Sequence, residues 1–304
     1  MGFQCQADIL KTEQAAARLF NGLGQFVPTN RHSSLTQFDS LPEPLQLAPL
    51  SVPKLEKIKQ RDARVQFASL GRGNHFLEFQ ASEDNALWLM VHTGSRGIGQ
   101  TIATHHLQKA ATANTGLKYL EAESEAGEAY LQDIAWAYRY AELSRQAIIE
   151  AVTVLMGEWF SVSADTSSMI GCHHNHVQRE RHFGTDYWVH RKGAISATEG
   201  EIGIIPGSMG SASYHVQGRG NEQALRSSSH GAGRTLSRYD ARKTITIKDL
   251  HKQMRGIWFE ERLEKPLREE SPLAYKDILK VMRAQRDLVR IVRKLRPILS
   301  FKGI

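Results

Sequence analysis

The 304 residues hold only two cysteines, Cys5 and Cys172. That excludes a disulfide framework and leads to the expectation of a reducing, cytoplasmic setting. No run is long and apolar enough to cross a membrane as a helix. The first residues lack the basic-then-apolar order of a secretion signal. There is no internal repeat, no low-complexity tract and no composition break, so one domain over 1–304 is expected. Acidic side chains are in deficit, 32 against 39 Lys and Arg, giving a formal net charge of +7. Such a surplus favours a polyanionic partner without requiring one. A hydrophobic share of 41% suffices for a sizeable core.

Histidine is plentiful, with 13 residues. Several stand beside Gly, Asn or Arg, a first sign of metal or phosphate chemistry. The chain is organised around the segment Arg191–Arg238, where Gly, Ser and Arg crowd between short apolar runs such as Ile202–Pro206. Two glycine turns mark it, Pro206-Gly207-Ser208-Met209-Gly210 and His230-Gly231-Ala232-Gly233-Arg234. Glycine lets a backbone approach an anion and aim N–H groups at it. A histidine, backbone donors and an arginine together suit phosphoryl chemistry. By glycine content alone the segment reads equally as a loop-rich β region.

Upstream, Leu70-Gly71-Arg72-Gly73-Asn74-His75-Phe76-Leu77-Glu78-Phe79 reads as a strand leaving a glycine turn. His75, Leu77 and Phe79 would face one side of it, Phe76 and Glu78 the other. Leu87 to Val91 reads as a buried strand ending at His92, which either reaches a cleft or is a capped core histidine. In Gly171-Cys172-His173-His174-Asn175-His176, a strand would put His174 and His176 on one face. His75, His92 and His174 could converge on one or two divalent metals; neutral imidazole suits Mn, Zn, Fe and Ni alike. His230 could attack the α-phosphorus of a nucleoside triphosphate, with backbone amides of the two glycine turns holding the phosphates.

Helical spacing predicts helices over Gln6–Phe20, over Tyr119–Phe160 with a break near Glu123–Glu128, and from Tyr275 through Leu295. The last carries Arg283, Arg286, Arg290, Arg293, Lys294 and Arg296, read as a solvated face or an RNA-facing one. Residues 21–60, with Pro28, Pro42, Pro44, Pro49 and Pro53, read as an irregular excursion.

From about Leu70 onward the chain resembles the RtcB family of RNA-splicing ligases. The resemblance is carried by GNHFLE, HTGSRG, HHN, RKGA, PGSMG, SHGAGR, SR, AYKDI and a final KG, in that order. It implies an α/β single domain, with antiparallel sheets lining a catalytic cleft and helices outside. It also implies a GTP- and Mn²⁺-dependent enzyme that joins RNA 2′,3′-cyclic phosphate or 3′-phosphate ends to 5′-hydroxyl ends through a histidine–GMP intermediate.

By position, His230 matches the guanylylated histidine, and His75, His92 and His174 match metal ligands. Asn74, His75, Phe76, Leu77, Glu78, His174, Asn175, Pro206, Gly207, Ser208, Met209, Ser213, His230, Gly231, Ala232, Gly233 and Lys302 match nucleotide-binding positions. Glu78 is expected to accept guanine N–H bonds, and Tyr275 to lie near the base. The family's Asp-x-x-Cys-Gly element, whose thiolate bridges two manganese ions, has no counterpart in these residues. The chain is therefore expected to be N-terminally truncated relative to the family and to hold fewer metals. Two other readings remain: a non-catalytic guanylate- or RNA-binding remnant, and a metal-dependent phosphoesterase.

Overall fold

The computed structural model describes residues 1–30 and 40–303. Its centre is an eight-stranded sheet. From one edge the strands run Ile202–Ile205, Ser213–Gly218, Val289–Phe301, Phe76–Ala81, Ala86–His92, Gly2–Gln6 and Ala164–Asp165, all antiparallel. Trp258–Phe259 joins Val289–Phe301 in parallel. Leu77, Phe79, Leu87, Leu89 and Leu299 point from this sheet into the main core. There they meet the helices Glu13–Phe26 and Glu125–Phe160 through Leu19, Leu23, Ile148, Val152 and Leu155. Helices on one face and antiparallel strands behind a cleft agree with the expected α/β fold. A separate hairpin, Asn175–His182 with Thr185–Lys192, stands beside the sheet.

The stretch from Val289 is not helical. Val289–Phe301 is a 13-residue strand in the middle of the sheet, and the helix before it covers only Ile278–Ala284. Branched Val289, Ile291, Val292 and Ile298 suit a pleated surface. Pro297 could not serve in a helix interior and sits at a register shift here. At the other end, Gly2–Gln6 is a strand and the helix begins at Glu13, its first turn capped by Thr12 accepting from the Ala15 amide.

The long helix runs unbroken for 36 residues from Glu125. What read as a break near Glu123–Glu128 is its N-terminus, where Ser124 Oγ accepts from the Gly127 amide at 3.1 Å. Tyr119 belongs to a short strand. Within the expected irregular stretch 21–60, the first helix continues to Phe26, and Glu43–Leu47 and Pro53–Ile58 are short helices. Both begin with proline in the first two positions, where a missing N–H costs nothing. Residues 31–39 of that stretch lie outside the described residues. Among the described residues, no helix is long and apolar enough to cross a membrane.

Candidate functional site

Strand alternation sorts the first motif. Leu77 and Phe79 are sealed in the main core. Phe76 and Glu78 face the opposite side, where Phe76 packs with Trp88, Met90 and Leu295. Register then sets Phe76 opposite His92, and their rings stack at 5.3 Å. A cavity of about 610 Å³ opens over this face. Its walls include Asn74, Phe76, Glu78, His92, Pro206, Gly207, Ser208, Met209, Ser213, His230, Gly231, Ala232, Gly233, Tyr275 and Lys302. Motifs more than two hundred residues apart thus meet because Ser213–Gly218, Val289–Phe301 and Phe76–Ala81 are neighbours in the sheet.

Four histidine rings gather at one end. His92 lies 5.9 Å from His75, 5.1 Å from His174 and 6.3 Å from His230, and His174 stacks on His230 at 4.1 Å. Burial, then the neighbouring cations and rings, pushes His75 down to about 4. Burial and His230 do the same to His174, also to about 4. His92 falls well below its ordinary range, and His230 is lowered by burial against an opposing bond to Gly193. The cluster is therefore neutral imidazole at neutral pH. His230 Nδ1 lies 2.9 Å from the Gly193 carbonyl. A carbonyl only accepts, so Nδ1 carries the proton and Nε2 keeps its lone pair.

As metal ligands, His75, His92 and His174 have the right donor type but are not assembled. Nδ1 of His75 faces Arg96 Nη1 at 3.2 Å, and since a guanidinium only donates, that lone pair is already engaged. Among the described residues, no carboxylate or thiolate joins the three. Among the described residues, no group of three or more His, Cys, Asp or Glu is gathered to hold an ion. The Arg96–His75 contact also explains Gly71. With φ at +98°, a Cβ there would stand 2.0 Å from Arg96 Nη1 and 2.2 Å from His75 Nδ1.

The far end of the cavity is charged. Glu78 is 2% exposed and accepts from Gln80 Nε2 at 2.8 Å and Ser300 Oγ at 3.1 Å. Burial outweighs these bonds and the nearby Lys302, raising Glu78 to about 7. Lys302 is itself buried and lowered by desolvation; its Nζ lies 3.7 Å from Glu270 Oε2 and 5.6 Å from the Phe76 ring centre. Glu270 also receives Arg234 at 3.1 Å, Arg238 at 3.4 Å and the Tyr275 hydroxyl. Reading the sequence missed Glu270, Thr235, Leu236 and Ser237 as lining residues. Nothing in Glu-Glu-Ser-Pro sets Glu270 apart before the fold brings three cations to it.

The remaining predicted residues divide. The turn at Pro206–Gly210 is closed by its own serines: the Gly207 amide donates to Ser213 Oγ at 3.2 Å and the Ser208 amide to Ser211 Oγ at 2.7 Å. A side chain at Gly207 would meet the Ala212 carbonyl at 2.3 Å. Leu77 is wholly core, so it offers the cavity only its backbone. His174 precedes the strand that begins at Asn175, so it does not share a strand face with His176. Its ring goes to the cluster, while His173 and His176 line a second cavity. Asn175 is exposed at the hairpin's start.

The fold and cleft define an α/β protein in which a nucleotide-sized cavity runs from a buried acid and lysine to a cluster of neutral histidines. The chain belongs to the RtcB family: residues 2–303 match the family described as "tRNA-splicing ligase RtcB". It is 41% identical over 250 residues to the RNA-splicing ligase RtcB of Escherichia coli K12, covering 77% of this chain and 60% of that protein. Against the RNA-splicing ligase RtcB of Mycobacterium tuberculosis H37Rv, identity is 32% over 282 residues, 78% of this chain and 65% of the other. With the tRNA-splicing ligase RtcB of Methanocaldococcus jannaschii it is 34% over 272 residues, 73% and 28% respectively. The matched part thus spans under two thirds of each of these relatives.

Proposed function

We propose that this chain carries the guanylate-handling part of an RNA ligase acting in a reducing cytosol. It would join RNA 3′-phosphate or 2′,3′-cyclic phosphate ends to 5′-hydroxyl ends at the expense of GTP. The observation that carries this reading is the tautomer of His230: with Nδ1 donating to Gly193, Nε2 is a free lone pair at the cavity edge. In the proposed reaction Nε2 bonds to the α-phosphorus of GTP, the α–β bridging bond breaks, and pyrophosphate leaves. Nδ1–H, held by the Gly193 carbonyl, supports the positive charge that develops on the ring. The adduct then passes GMP to an RNA 3′-phosphate, and the 5′-hydroxyl displaces GMP.

The opposite end of the cavity suits guanine. Its N1–H and exocyclic amine form a donor edge, and Glu78 is a buried acceptor with Lys302 beside it. Such an edge-to-carboxylate pair is a charge-assisted bond in a dry site. Manganese remains part of the proposal at His75, His92 and His174. A divalent cation there would polarise phosphate oxygens, and His75 must first give up its contact with Arg96.

The adduct separates this reading from a guanylate-binding remnant and from a metal-dependent phosphoesterase. Incubation with labelled GTP and Mn²⁺ is expected to leave acid-labile, alkali-stable label on the protein, and His230→Ala to abolish it with the fold intact. Label that persists in His230→Ala refutes the assignment. RNA-end hydrolysis without any adduct favours the phosphoesterase.

A further inference from the structure

A second cavity, of about 650 Å³, lies behind the histidine cluster. The inner face of the hairpin Asn175–Lys192, the loop at Thr198–Glu201 and Tyr138 of the long helix wall it. His173 is part of its lining, and the next residue, His174, stacks on His230. The two cavities are therefore linked through His173, His174 and the ring of His230 that lines the first. A reaction that passes a group from His230 to a second substrate needs such an arrangement.

The lining is not that of a plain anion site. Glu180 is neutralised by Arg191 and Glu222 by Arg226, and the His182 ring lies between the two carboxylates. Among the described residues, the Gln178 side-chain amide has no hydrogen bond. Glu201 binds Ser196 Oγ at 2.5 Å through one oxygen and leaves the other without a donor. Tyr138 stacks on His173 with ring centres 3.7 Å apart, yet stays 37% exposed. An aromatic pair, an amide and a carboxylate oxygen match a nucleoside.

Resting on the ligase reading above, we propose that this cavity holds the last nucleoside of the 3′-phosphorylated RNA strand. Its base stacks on Tyr138, and its edge meets Gln178 and Glu201. The terminal phosphate then emerges past His173 toward His230.

The test is binding of a short 3′-phosphorylated RNA, read by fluorescence anisotropy, with GTP affinity measured separately. Tyr138→Ala is expected to weaken RNA binding about tenfold, in the range of one lost base–aromatic stack. Tyr138→Phe is expected to retain it, and both variants to bind GTP as the parent does. An abasic last nucleotide is expected to weaken binding to the parent by a similar factor and to make no difference to Tyr138→Ala. Equal affinity of parent and Tyr138→Ala for intact RNA overturns the subsite alone. Failure of the parent to bind RNA while it still binds GTP overturns the ligase reading and the subsite with it.

Discussion

Replacing Glu78 by Gln separates what this residue costs the fold from what it gives the ligand. The carboxyl is 2% exposed, and burial raises it from an ordinary 4.5 to about 7. A raised acid titrates in the unfolded chain first. The native state is therefore penalised progressively between those two values, and by a constant amount above the higher one. Integrated from pH 5 to pH 8.5, that penalty grows by roughly 2–3 kcal/mol. Gln resembles the protonated acid: one acceptor oxygen and one donor group facing Gln80 and Ser300. In urea unfolding, Glu78→Gln should thus be close to the parent at pH 5 and more stable by about that amount at pH 8.5. Guanylate affinity should move oppositely. In the parent it should fall with decreasing pH below about 7, because the ligand needs the ionised acid; in the variant it should be weak and flat. An equal stability difference at both pH values refutes the burial argument. Undiminished GTP binding by the variant refutes the guanine assignment.

Metal content offers a second test. Three neutral imidazoles without an anionic donor, one engaged by Arg96, should retain at most one Mn²⁺ per chain after dialysis, and His92→Ala should retain none. Two tightly held ions, measured by atomic absorption, contradict this. RNA affinity should fall with salt, each neutralised phosphate adding about 0.7 to the log–log slope for a single strand; a flat response speaks against an extended RNA. Ser124→Ala removes the cap of the 36-residue helix and should lower stability by about 1 kcal/mol, seen as a lower urea midpoint. An unchanged midpoint means the helix start is held by its packing instead.

The chemistry of this chain was more legible than its architecture. Glycine turns beside His75, His92 and His230 are local signals, and the strand pattern separating Leu77 from Glu78 follows from a period of two. The strand at Val289–Phe301 was not legible. Its apolar spacing also fits a helix, and only neighbours far away in the chain make it central. Gly2–Gln6 failed likewise, being too short for periodicity to decide. Glu270 illustrates a different limit. A glutamate in a charged stretch looks solvated until Arg234 and Arg238 arrive from one distant segment and Lys302 from another. The contact between Arg96 and His75 was equally invisible, although both stand in recognisable motifs.

The position of Val289–Phe301 has a consequence for how the cleft comes into being. Ser300 touches Glu78 across 222 residues of sequence, and Gln80 reaches Ser213 across 133. A chain emerging from the ribosome can form the long helix and the neighbouring hairpins early, from local contacts. Ser300 and Lys302 reach the charged end of its cleft only when the strand from Val289 slides between two strands that have waited for it. Incomplete chains would therefore carry the histidine motifs and Glu78 without the Ser300 that bonds this acid and the Lys302 that lines the cavity. The open seam between Phe76–Ala81 and Ser213–Gly218 would be their point of aggregation, with two unpaired strand edges facing each other.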